Sequence, residues 1–147
     1  MKEEIDVVIL CGGKGTRLYP LTADIPKPMV KIGDLPVIEH IIKLFLYYGF
    51  ENIKLLTGYK GHIIEDYFRD RYPTVQCIDT GEESDTAERI WKVRNKVTDT
   101  FFLSYSDVLA DLNLRSMLEF HKKHGKIGTL SIYPLITSYG IAKFNSN

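Results

Sequence analysis

Ile5 to Leu10 is an almost continuous apolar run that stops at Cys11-Gly12-Gly13. A short run of this kind, closed by glycines, predicts a strand buried on both faces, as in the middle of a parallel sheet. After a loop, Asp34 and Pro36 mark a helix start; apolar residues recur at Val37, Ile41, Leu44, Phe45 and Tyr48, and Gly49 can close the last turn. Asn52 to Thr57 reads as the next strand, and His62 to Tyr72 as an amphipathic helix with Ile63, Ile64, Tyr67 and Phe68 inward. Val75 to Asp79 is a third strand. Asp85 followed by Glu88 has the spacing of a capping box and predicts a helix through Val97. Phe101 to Ser104 is a fourth strand and Leu114 to Gly125 a helix; Ile127 to Tyr133 and Gly140 to Phe144 are expected to finish the chain as strands. Strands and helices alternating through short connections predict the α/β class, a mostly parallel sheet covered on both faces. No internal repeat, low-complexity tract or linker interrupts the pattern, so residues 1–147 are expected to form one domain.

Composition sharpens this reading by exclusion. A chain of 147 residues buries about 70% of its extended surface, enough for one sizeable core. Nineteen basic side chains balance nineteen acidic ones, so the molecule lacks the positive field of a general nucleic-acid binder or a polybasic membrane anchor. No apolar run has the length of a membrane span, and the start MKEEIDVV lacks the basic-then-apolar order of a secretory signal. Cys11 and Cys77 form neither a CxxC pair nor a metal-ligand cluster with the four histidines. A reduced, cytoplasmic setting is expected.

Any anion site must therefore be local, and one stretch stands out. From Val7 to Lys31 the basic residues are Lys14, Arg17, Lys27 and Lys31, against the single acid Asp24. This stretch follows the first strand, and in open parallel sheets ligands bind beyond the carboxyl ends of strands. Gly12, Gly13 and Gly15 let backbone N–H groups approach a ligand without a Cβ in the way. The dinucleotide fingerprint fails, because Leu18 stands where its third glycine belongs; the P-loop fails too, because Thr16-Arg17 stands in place of Lys-Ser/Thr. A tight turn without a ligand is the competing reading. Pro20, Pro26, Pro28 and Pro36 restrict the segment that carries Arg17 and Lys27. A charge pair at 4 Å is worth about 1 kcal/mol in water and about 4 kcal/mol at an effective dielectric of 20, so cations held rigidly in a cleft can organise a triphosphate.

Gly12-Gly13-Lys14-Gly15-Thr16-Arg17-Leu18, Pro20-Leu21-Thr22 and Pro26-Lys27-Pro28-Met29 together resemble the signature of the sugar-1-phosphate nucleotidyltransferases, the NDP-sugar pyrophosphorylases. Gly58-Tyr59-Lys60-Gly61, Asp79-Thr80-Gly81, Ser104-Tyr105-Ser106-Asp107 and Phe120-His121-Lys122-Lys123-His124-Gly125 look most like the glucose-1-phosphate cytidylyltransferase branch. The resemblance implies a Rossmann-like three-layer α/β/α sandwich. It also implies transfer of a nucleoside monophosphate: the phosphate of a sugar 1-phosphate attacks the α-phosphorus of an NTP and pyrophosphate leaves. By that likeness the backbone around Leu10, Gly12 and Gly13 meets the base; Gly15, Thr16 and Arg17 meet the β- and γ-phosphates; and Lys27 meets the α-phosphate. Asp107 is implied as a Mg²⁺ ligand, with a turn-capping Asp as the alternative. Thr86 and Arg89 keep a nucleotide-binding pattern, whereas Ala87 and Glu88 stand where the branch carries two glycines, so CTP is one possible substrate among the NTPs. An ordinary capped helix start is the other reading of Thr86 and Arg89.

Members of the resembled family run well beyond this length, and their second half supplies a further metal-binding aspartate, a lysine for the sugar phosphate and most of the sugar pocket. Tyr139-Gly140 resembles the start of the sugar-contacting segment, so Gly140 is the expected sugar contact. The fold is thus expected to be truncated, with the open edge of its last strand covered by another copy in a homo-oligomer. A catalytically incomplete nucleotide-binding or regulatory module is the second function class; a reductase-type dinucleotide site is a third, opposed by the missing glycine.

Overall fold

The computed structural model describes residues 4–134. In chain order the elements are strand β1 (Asp6–Leu10), 3-10 turns at Thr16–Leu18 and Lys27–Met29, a small antiparallel pair β2 (Lys31–Ile32) and β3 (Leu35–Pro36), helix α1 (Val37–Tyr47), β4 (Ile53–Thr57), α2 (Gly61–Phe68), β5 (Val75–Asp79), α3 (Thr86–Val93), β6 (Phe101–Tyr105) and α4 (Leu114–His124). Residues up to Leu112 form one compact unit and residues from Asn113 a second.

The first unit is a four-stranded parallel sheet in the order β5-β4-β1-β6. β1 lies inside it, Val7 beside Ile53 on one flank and beside Phe102 on the other, and all five of its residues are buried. Neighbouring residues of a strand face opposite sides. Val8, Leu10 and Leu56 form a cluster with Val93 of α3, and Ile78, Ile90 and Phe101 pack against it. Phe102 instead meets the rings of Phe45 of α1 and Phe50, at centroid distances of 5.6 and 4.8 Å. Helices therefore cover both faces, as the alternating pattern requires.

The helix ends follow local chemistry. Asp85 Oδ1 accepts from the Glu88 N–H at 2.8 Å and caps α3. The reciprocal half of the capping box is absent, because Glu88 pairs with Lys92 one turn on, at 2.8 Å. In the second unit, Asn113 Oδ1 caps α4 through the Ser116 N–H at 3.0 Å, and Gly125 ends the helix at φ 61°. The strand expected over Ile127 to Tyr133 does not form: Ile127, Leu130, Ile132 and Tyr133 are exposed and no ladder reaches them among the described residues. Apolar content makes a strand only where a neighbour supplies its hydrogen bonds. The strand expected over Gly140 to Phe144, and the contact expected at its edge, lie outside the described residues. No helix among the described residues is long and apolar enough to cross a membrane.

Two buried polar arrangements stabilise the first unit away from the carboxyl ends of the strands. Asp6 forms an ion pair with Lys54, both nearly buried, and its other oxygen accepts from the Thr98 N–H at 2.8 Å. Asp6→Ala strands the ammonium without a partner; removing one member of a buried pair costs about 3–5 kcal/mol, to be read from chemical denaturation. Glu39 of α1 receives the hydroxyls of Tyr67 at 2.7 Å and Tyr72 at 2.8 Å, with Lys43 at 3.5 Å. Burial alone would raise the Glu39 carboxyl, but these three partners outweigh it and hold the group below its ordinary value of 4.5. A depressed carboxylate stabilises the fold fully above its unfolded pKa and loses that contribution as pH falls through the folded value. Unfolding followed from pH 6 downward should therefore show stability falling once pH passes below about 4.5, with Glu39→Gln flattening that decline.

Candidate functional site

The chain lays down β1, β4 and β5 in one direction and then returns to place β6 on the other side of β1. The order reverses between β1 and β6, and a reversal of this kind leaves a crevice beyond the carboxyl ends of the two strands, because their connections leave in opposite directions. The glycine loop follows β1, and Ser106-Asp107 follows β6. Geometry thus places both sequence-derived segments at the crevice.

Lys27 and Asp107, eighty residues apart in sequence, form an ion pair there. The two side chains keep 28% and 31% of their surface exposed, so a polyanion or a cation can reach either group. The Lys27 stem is positioned by Gly15. That glycine has φ 63°, and a Cβ built on it would lie 2.8 Å from Lys27 Cβ, so it is required both for the turn and for the close approach. Thr22 Oγ1 donates to the Gly15 carbonyl at 3.1 Å and fixes the same turn. Thr16 and Arg17 open the 3-10 turn next to Gly15, both exposed; no carboxylate pairs with Arg17 among the described residues. The loop is thus a stiff turn with Arg17 outward and Lys27 held against its base.

The remaining candidates divide. Leu10 and Gly12 are buried, Gly13 is exposed, and a Cβ on Gly13 would meet nothing within 4 Å. Thr86 is the first residue of α3 and exposed. Arg89, one turn on, is 4% exposed and its guanidinium turns inward onto protein oxygens. Gly140 lies outside the described residues. Beside the loop, Lys14, Thr16, Tyr19, Thr22, Ala23 and Tyr59 line an open cavity of about 550 Å³, within the usual range for small-molecule sites of about 300–1,000 Å³.

Two features escaped the sequence reading. Lys14 bridges to Glu83 at 2.8 Å and Glu82 at 3.2 Å, so the hydrogen bond it donates to Glu83 first, and that to Glu82 second, raise its ammonium pKa. The local excess of positive charge is therefore smaller than its own segment suggests. The signal was present: Glu82-Glu83 follows β5, and parallel strands end at the same edge. Lys60 adopts φ 50° and donates to the Ala23 carbonyl, tying the loop after β4 to the loop after β1. Neither cysteine is an activated nucleophile, since burial pushes the Cys11 thiol well up and the Cys77 thiol to about 11.

The chain is 35% identical to the probable glucose-1-phosphate cytidylyltransferase of Bacillus subtilis, over 90% of this chain and 62% of the relative. It is 34% identical to the mannose-1-phosphate guanyltransferase of Hypocrea jecorina, over 95% of this chain and 41% of the relative. Among solved structures, HddC from Yersinia pseudotuberculosis complexed with GMP-PN superposes with a TM-score of 0.69 at 30% identity, covering 80% of this chain and 54% of that one. The chain thus spans about two fifths to three fifths of the length of these relatives. The family described as Nucleotidyl transferase matches residues 6–147, and the chain belongs to that family.

Proposed function

We propose that the chain is the nucleotide-binding portion of an enzyme that transfers a nucleoside monophosphate from an NTP to a sugar 1-phosphate and releases pyrophosphate. The observation that carries this reading is the Lys27–Asp107 pair, set at the reversal of strand order and packed against the turn that presents Arg17. Relatives named for cytidylyl and guanyl transfer to sugar 1-phosphates support it; because they differ in base, CTP is one candidate among the four NTPs.

In-line attack on an α-phosphorus is mainly positioning and charge neutralisation. The backbone of Leu10, Gly12 and Gly13 and the start of α3 at Thr86 surround the base. Gly15, Thr16 and Arg17 hold the β- and γ-phosphates, Arg17 as a fork of donors suited to phosphate oxygens. Lys27, a compact charge, sits where the α-phosphate takes up negative charge. Asp107 fits Mg²⁺: its side chain keeps about a third of its surface exposed beside the phosphate loop, and Mg²⁺ is commonly held by one or two carboxylates plus substrate phosphates and water. When bound, the metal would neutralise phosphate charge. Lys27 and Asp107 pair with each other and so neutralise each other's charge. A cytoplasmic setting, supported by two free cysteines, and a homo-oligomer belong to the same proposal.

Pyrophosphate release, measured with each of the four NTPs, a panel of sugar 1-phosphates and Mg²⁺, tests the reaction. One NTP and one sugar phosphate should stand out, whereas no release and no binding with any NTP would refute the assignment. Arg17→Ala should weaken triphosphate binding about tenfold or more, as loss of a hydrogen-bonding charge typically does. Its melting temperature should stay within about 2 °C of wild type, because an exposed side chain with no ion-pair partner among the described residues contributes little to stability; calorimetry reads both.

A further inference from the structure

Arg89 carries a full positive charge into a nearly dry position, 4% exposed, yet pairs with no carboxylate among the described residues. Burying an uncompensated charge is costly unless fixed dipoles replace its water. Here they do. One terminal nitrogen donates to the Thr57 carbonyl at 3.0 Å, Thr80 Oγ1 at 2.6 Å and the Gly81 carbonyl at 2.8 Å. The other donates to the carbonyls of Gly12 at 3.1 Å and Glu82 at 3.2 Å. These oxygens come from the ends of β1, β4 and β5, so a single fork ties three strand ends together.

Two glycines exist to admit it. A Cβ on Gly12 would lie 2.1 Å from the guanidinium, and one on Gly58 2.8 Å. The arrangement also has an outward consequence. A trans peptide points its C=O and N–H in opposite directions. Drawing the Gly12 carbonyl inward, where it accepts from the Tyr59 N–H at 3.1 Å as well as from Arg89, therefore turns the Gly13 N–H outward, at a residue that is exposed and open on its Cβ side. Among the described residues no protein acceptor takes that N–H. The inward carbonyls of Gly81 and Glu82 turn the N–H groups of Glu82 and Glu83 outward in the same way.

We propose that Arg89 is a positioning residue for nucleotide binding: without touching the ligand, it collects the strand-end carbonyls and thereby aims the Gly13 N–H at the base. The proposal rests on the nucleotide-binding reading above. It differs from a direct contact because both terminal nitrogens already donate to protein oxygens. Lysine cannot replace it, since one ammonium cannot span acceptors from three loops in a plane.

The test compares dissociation constants of wild type, Arg89→Ala, Arg89→Lys and Arg17→Ala for each of the four nucleosides and each of the four NTPs with Mg²⁺. Arg89→Ala should weaken nucleoside and triphosphate by the same factor, about tenfold or more, while Arg17→Ala weakens only the triphosphate. Arg89→Lys should behave like Arg89→Ala. Millimolar guanidinium, but not urea, should restore binding to Arg89→Ala by refilling the vacated space. Unchanged nucleoside affinity in a folded Arg89→Ala protein, or loss confined to the triphosphate, would overturn the proposal. Should the variants fail to fold, amide NMR of the wild type decides: the Gly13 N–H should shift on addition of the nucleoside that binds, and a Gly13 signal that stays still while others move would overturn it. If wild type binds no nucleoside and no NTP, the nucleotide reading itself falls, an outcome distinct from every one above.

Discussion

Four parallel strands ending at one edge leave carbonyl and amide groups with no ladder partner, crowded into a small volume. What satisfies those groups decides what the edge can hold. At the ends of β5, β4 and β1 the answer is internal: a buried guanidinium accepts the company of four carbonyls and a hydroxyl. Between β1 and β6, where strand order reverses, the answer is an ion pair with about a third of each side chain still in water. The first arrangement is a fixed structural member. The second is exchangeable, because each partner can trade the other for a ligand of the opposite charge.

Charge is distributed so that this second place can receive an anion. The whole chain is balanced, nineteen against nineteen. Lys14 is engaged by Glu82 and Glu83, and Lys54 by Asp6 in the core. Within the glycine loop that leaves Arg17, outward and unpaired among the described residues, and Lys27, paired but reachable. Rigidity comes from Gly15, whose left-handed backbone and missing Cβ let the Lys27 stem close against the turn. A preorganised pair of cations needs little rearrangement when a polyphosphate arrives, which is the physical basis of electrostatic catalysis.

Much of this was legible in the chain itself. The sequence pattern located β1, β4, β5 and β6 to within a residue; β1 and β4, buried on both faces, read as apolar runs without any partner information, while β5 and β6 are half-buried edge strands. Asp85 announced the start of α3, and the glycines announced the loop. Other features were illegible for a common reason: they join residues far apart in sequence. Lys27 meets Asp107 across eighty positions, Lys14 meets Glu83 across 69, and Arg89 meets Gly12 across 77. For Arg89 the resemblance implied nucleotide binding and the local pattern a capped helix start; nothing local shows that three strand ends will surround it. Ile127 to Tyr133 misled in the opposite way, since its β-rich composition says nothing about whether a neighbouring strand is there to pair.

The central claim is that the crevice between β1 and β6 is a cradle for a nucleoside triphosphate. A crystal structure with a non-hydrolysable NTP analogue and Mg²⁺ examines it directly. The account predicts terminal phosphates against the Thr16–Arg17 turn, the Lys27 ammonium moved from Asp107 to the α-phosphate, and the metal on the Asp107 carboxylate. Nucleotide bound elsewhere, with the Lys27–Asp107 pair undisturbed, would contradict it.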